Sequence, residues 1–115
     1  GSDIPGNAGA IFFCHPKYVL NAAVNRTNNE GEPQGGWIPQ QKITMEEAIR
    51  CFTLNAAYGC MNEDKVRGSI KAGKLADITV IDRNIIKNDP RDVLNMKIVK
   101  TIVDGRIVFE RQEER

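Results

Sequence analysis

The sequence predicts an α+β fold, helical in its first half and β-rich in its second, and three observations carry that expectation. Thr44-Met45-Glu46-Glu47 has the order of a capping box and opens a run with apolar residues three and four apart. From Gly68 onward the apolar residues instead come in short runs or alternate. Asp104-Gly105, between two such runs, is a pair that favours positive φ and so a tight hairpin turn.

Each element follows in order. The first fourteen residues are rich in glycine and small side chains and read as loop, entered from a strand end at Gly1-Ser2-Asp3. Between Pro16 and Arg26, Tyr18 or Val19, Ala22, Ala23 and Arg26 fall at helical spacing, and Pro16 suits a first helical turn. Residues 28–42 contain Gly31, Pro33, Gly35, Gly36 and Pro39, which predicts a loop of about fifteen residues, a length usually tied to function. Trp37 follows two glycines there. A large aromatic in that setting reads as an anchor folding the loop onto the body, with ligand contact as its other role.

The capped helix is expected to run from Thr44 to Gly59, with Met45, Ile49, Phe52, Ala56 and Cys60 as one continuous apolar stripe. Strands are expected at 68–70, 76–82, 98–103 and 106–109. Asn88-Asp89-Pro90 reads as a cap and a first helical proline leading one short turn. The charged tail from Glu110 is expected to fray.

Composition narrows the function. The 115 residues suffice for one small domain and exclude a complete barrel hydrolase or dinucleotide enzyme. Sixteen Lys and Arg against fifteen Asp and Glu leave a net charge of +1, without the basic excess of a phosphate-binding surface, so no nucleic-acid partner is expected. No run approaches the roughly 20 apolar residues that span a bilayer, so no membrane partner is expected either. Cys14, Cys51 and Cys60 form no CxxC pair and are odd in number, which suggests buried, reduced thiols in a cytoplasmic protein.

The residues read on their own offer little chemistry. His15 is the single histidine and cannot build a multi-histidine metal site. Cys14 and His15 are adjacent and would point apart in an extended segment, so they make a poor nucleophile and base. Asp77 and Asp82 would face opposite sides of a strand and read as strand-end caps or solvated charges. Asn25-Arg26-Thr27 fits a glycosylation acceptor only by chance, and no phosphate-binding glycine loop is present.

Two stretches are more particular than composition demands: Gly1-Ser2-Asp3, and Gly68-Ser69-Ile70-Lys71-Ala72-Gly73-Lys74-Leu75-Ala76-Asp77. The second closely resembles a segment near the carboxyl end of amidohydrolase-superfamily enzymes. Gly1-Ser2-Asp3, Gly31-Glu32-Pro33-Gln34-Gly35-Gly36-Trp37, Thr44-Met45-Glu46-Glu47-Ala48, Gly73-Lys74-Leu75-Ala76-Asp77 and Asp104-Gly105-Arg106 stand in an order similar to the amidohydrolase-3 branch. The resemblance extends from Gly1 to Phe109.

That resemblance implies a fragment: residues 1–62 as the end of a (β/α)8 barrel, with the strand-8 end, a long loop and the last helices, and residues 63–115 as the carboxyl-terminal strands of a composite β-sandwich. It implies that Asp3 is the catalytic carboxylate, beside a divalent metal, expected to be zinc, and taking the proton of the attacking water. Such placement agrees with barrel active sites lying at the carboxyl ends of strands. It makes Trp37 a candidate on a substrate loop. The implied parent is a metal-dependent hydrolase of carbon–nitrogen bonds other than peptide bonds, acting on a small amide-type molecule. The chain alone is expected to be inactive and to bind no metal, and an open sheet edge is expected to drive self-association. The alternative is a self-standing, non-catalytic α+β binding or assembly module.

Overall fold

A computed structural model describes residues 15–112. Asp3, Cys14 and the expected strand end at Gly1-Ser2-Asp3 therefore lie outside the described residues. The chain divides into two compact units, one holding residues 15–49 with Ile85–Met96, the other holding Arg50–Asn84 with residues 97–112.

In the first unit, helix α1 spans Pro16–Val24 with the proline in its first turn, and the His15 side chain accepts a hydrogen bond from the Lys17 N–H at 3.3 Å. Its buried residues are Leu20, Asn21 and Val24, not the Ala22 and Ala23 face that spacing suggested. They pack against a 3₁₀ helix at Pro90–Asn95, whose Val93 is fully buried. Leu20, Val24, Met45, Ala48, Ile85, Val93 and Met96 form an aliphatic and methionine core. Asp89 caps the 3₁₀ helix as its order predicts: its carboxylate accepts from the Arg91 N–H at 2.9 Å and pairs with the Arg91 guanidinium at 2.6 Å. These Arg91 bonds, side chain first and then backbone, hold the Asp89 carboxyl at about 2. A carboxyl depressed below its unfolded value of about 3.9 adds stability above that value, and the contribution is lost as pH falls through the folded one. The Asp89 carboxyl carbon is accordingly expected to titrate with a midpoint near 2; a midpoint near 4 would contradict the cap.

Helix α2, Met45–Phe52, begins at the expected capping box. The Glu47 N–H donates to Thr44 Oγ1 at 3.2 Å, and Glu47 Oε2 accepts from the Thr44 N–H at 2.8 Å. The single long helix does not form. Thr53 leaves helical geometry at φ −117° and ψ −91°, and a separate helix α3 spans Leu54–Gly59. A β-branched residue crowds the preceding turn and weakens the helix at this point. The expected stripe is cut with it, leaving Ala56 and Cys60 exposed.

The second unit carries the sheet. Strands β1 (Ile78–Ile81), β2 (Ile98–Val103) and β3 (Arg106–Glu110) lie in the order β1-β2-β3, both pairs antiparallel. Asp104 at φ 49° and Gly105 at φ 74° close the β2–β3 hairpin with two residues of positive φ, as their identity predicts. Asp77 and Asp82 act as caps: Asp77 Oδ1 accepts from the Asp104 N–H and Asp82 Oδ1 from the Lys97 N–H, each at 2.9 Å. Each pair of strands contains one register irregularity. The expected fraying does not start at Glu110, which closes β3 and pairs with Lys100 at 2.7 Å, nor at Arg111, whose N–H donates to the Val99 carbonyl at 2.8 Å.

No strand forms at 68–70. Gly68 has φ +86° and lies against the break between α2 and α3, where an added Cβ would meet Ala57 Cβ at 2.9 Å and Leu54 Cα at 3.0 Å. The Lys74 ammonium then closes the segment, donating to the Ser69 hydroxyl at 2.7 Å and to the Asp64 carbonyl. The conspicuous glycine, serine, lysine and aspartate of this stretch thus set the backbone path into the sheet. Cys51, on α2, and Cys60, the residue that ends α3, are exposed, contrary to the burial expected of them.

Candidate functional site

The described residue with the most organised polar environment is Asn21, one turn before the end of α1 and only 1% exposed. An asparagine inside a helix competes with the backbone for hydrogen bonds, and here it uses that capacity to fasten the loop. Its Nδ2 donates to the carbonyls of Thr27 and Asn28, both at 3.2 Å, and its Oδ1 accepts from Asn25 Nδ2 at 2.8 Å. Asn25 Nδ2 also reaches the Pro90 carbonyl at 3.1 Å. Asn28 continues the network, its side-chain oxygen accepting from the N–H groups of Glu30 and Glu32 at 3.0 and 2.9 Å. Internal bonding therefore orders a loop whose glycines and prolines alone would leave it loose.

The sequence signal for this network was a pair of asparagines at i and i+4 on one helix face. Polar residues near a helix end are usually solvated, so spacing alone does not mark this pair as buried. Replacing Asn21 with leucine keeps the volume but strips two loop carbonyls of their donor. Stability is expected to fall by about 2–3 kcal/mol, since each stranded buried group costs about 1–3 kcal/mol. Thermal unfolding checks this, and an unchanged midpoint would show that the network is dispensable.

Between this loop and the start of the 3₁₀ helix lies an open concavity of about 550 Å³, lined by Asn29, Glu30, Gln34, Lys42, Asp89 and Arg91 among others. Its charges are mixed, and Asp89 and Arg91 neutralise each other. It offers hydrogen bonds rather than a charged cradle, and none of its lining residues is a histidine or cysteine.

Trp37 stands on the far part of the loop, 62% exposed. Its backbone N–H donates to the Arg26 carbonyl at 2.7 Å, Arg26 Nε donates to its backbone carbonyl at 3.1 Å, and the guanidinium lies 5.2 Å from its ring centroid. The indole is fixed to Arg26 by one face while it remains largely accessible. His15 caps α1. Among the described residues no group of three or more His, Cys, Asp or Glu is arranged to hold a metal ion. Among the described residues no helix is long and apolar enough to cross a membrane.

An α+β piece with a pinned aromatic loop and an incompletely covered antiparallel sheet is the class that the fold defines. Residues 6–109 match the amidohydrolase family, and the chain belongs to it. It is 31% identical over 96 residues to the N-substituted formamide deformylase of Arthrobacter pascens, covering 84% of this chain and 17% of that protein. It is 30% identical over 111 residues to YtcJ of Bacillus subtilis (strain 168), a protein named as an amidohydrolase, covering 96% of this chain and 20% of that one. It is 28% identical over 103 residues to an imidazolonepropionase of Kosmotoga olearia, covering 90% of this chain and 22% of that one. The chain thus spans about a fifth of the length of these relatives. No solved structure gives a significant match.

Proposed function

We propose that these residues serve as the carboxyl-terminal portion of a metal-dependent amidohydrolase, which uses water to cleave a carbon–nitrogen bond other than a peptide bond in a small amide-type substrate. The observation that carries this reading is the family match across residues 6–109. Relatives named for deformylation of N-substituted formamides and for imidazolonepropionate chemistry support it. In this reading residues 1–62 close a (β/α)8 barrel and residues 63–115 supply strands to a composite β-sandwich. All five residues of β3 are exposed, which is in keeping with a sheet that other strands complete.

Asp3 is the reacting group of this portion. Its carboxylate accepts a proton from the attacking water, the task of a positioned general base. Trp37 faces the substrate from the loop that follows α1. In this reading a divalent metal, zinc, would be held by Asp3 together with ligands elsewhere in the longer enzyme. Its role there is to lower the pKa of bound water.

Amine release from simple N-substituted amides tests the division of labour. The longer enzyme is expected to release amine with zinc present and this chain alone to release none; turnover by the chain alone would overturn the fragment reading. Alone, the chain is further proposed to self-associate through the sheet, where Ile107, Val108 and Phe109 are exposed. Sedimentation at high concentration checks this, and a monomer throughout would exclude it.

A further inference from the structure

Ile38 has a backbone unfavourable for its identity. It is β-branched, it sits at φ 48° and ψ 67°, and it immediately precedes Pro39. Left-handed geometry drives its Cβ toward the following carbonyl. A following proline independently pushes a residue toward extended backbone. Both preferences oppose the observed conformation, and Arg26, its counterpart across the loop, is also left-handed at φ 59°.

What opposes that strain is a small set of bonds around Trp37. The reciprocal pair between Arg26 and the backbone of Trp37, at 2.7 and 3.1 Å, ties strained Arg26 to the residue just before strained Ile38, and the guanidinium over the indole adds a cation–π contact. The Gln41 N–H donates to the Ile38 carbonyl at 3.0 Å. Gly36 permits the close approach, since a Cβ there would lie 2.4 Å from the Asn25 carbonyl oxygen. Trp37 is 62% and Ile38 41% exposed, so burial does little to hold either in place. Strained backbone of this kind clusters at ligand clamps and switch regions.

We propose that Arg26, Trp37 and Ile38 form a spring-loaded latch. In the closed state the indole lies on the guanidinium and Ile38 is left-handed. In the open state Ile38 returns to extended backbone, the Arg26–Trp37 bonds part, and the indole swings free with both faces accessible to an apolar group. The latch requires only the geometry of the loop and holds whether or not the hydrolase reading does. Where that reading holds, the latch gates the contact between Trp37 and substrate.

Trp37 is the single tryptophan of the chain, so its indole reports this loop alone. The test measures relaxation dispersion at the indole N–H and acrylamide quenching of its fluorescence in the full chain. Arg26→Gln, which removes the guanidinium and the Nε bond, is expected to raise the open population about fivefold, with microsecond-to-millisecond exchange and stronger quenching. Ile38→Gly, which accepts positive φ without strain, is expected to lower that population by about the same factor. An Arg26→Gln indole indistinguishable from wild type, or both variants moving the population in the same direction, would overturn the latch.

Discussion

Asp3→Asn in the longer enzyme is expected to lower kcat by about 10²–10⁴-fold, the range lost when a positioned general base is removed. Asparagine has nearly the shape of aspartate but cannot accept the proton of the attacking water. Thermal stability should therefore stay near wild type while turnover collapses. Metal content measured on the same preparation separates two ways of losing activity: a carboxylate that only ligates costs bound metal in proportion to activity, whereas a base costs turnover with metal retained. A variant with undiminished kcat would remove Asp3 from the chemistry and leave only its place in the Gly1-Ser2-Asp3 order.

The second large effect falls on stability. Gly68→Ala is expected to destabilise the sheet-bearing unit by about 2–4 kcal/mol, which sums the cost of left-handed geometry for a residue with a Cβ and that of overpacking. The added methyl would lie 2.9 Å from Ala57 Cβ, 3.0 Å from Leu54 Cα and 3.1 Å from the Thr53 carbonyl oxygen. Two of these contacts are with backbone atoms, which cannot swing aside. Gly73 supplies the control. It shares the φ of +86° but has nothing within 4 Å of an added Cβ. Gly73→Ala should therefore cost only the conformational part, about 1–2 kcal/mol. Urea unfolding followed through sheet amide exchange compares the two, and equal losses would show that Gly68 matters for its φ alone and not for its fit against Ala57.

Local rules in the sequence recovered the elements whose causes are local. The Thr44–Glu47 box, Pro16 in the first turn of α1, the Asp89 cap and the Asp104-Gly105 turn each depend on residues within about four positions, so identity and spacing sufficed. Three features escaped because their causes are distant. The helix divides at Thr53, where the local weakness of a β-branched residue becomes a break against which Gly68, fifteen positions later, packs too closely to carry a side chain. The 68–70 strand is replaced by a clip closed by Lys74, whose partners lie up to ten residues away. Asn21 looked like an ordinary polar helix residue until the loop carbonyls it serves were brought beside it.

The candidate site divides the same way. Trp37 reads in the sequence as an anchor onto the body or as a ligand contact; the structure leaves it 62% exposed and joins it to Arg26, eleven residues back. Asp3 emerged from motif order alone, because one carboxylate without visible neighbours carries no chemistry of its own.

The central claim is that the longer enzyme hydrolyses a carbon–nitrogen bond with metal-activated water. The most direct measurement is amine release from an N-substituted amide by that enzyme before chelation, after chelation, and after zinc is restored. The account predicts that turnover disappears with the metal and returns with it. Amine release that persists in fully stripped enzyme, or zinc-restored enzyme that cleaves esters but releases no amine from any amide, would contradict it.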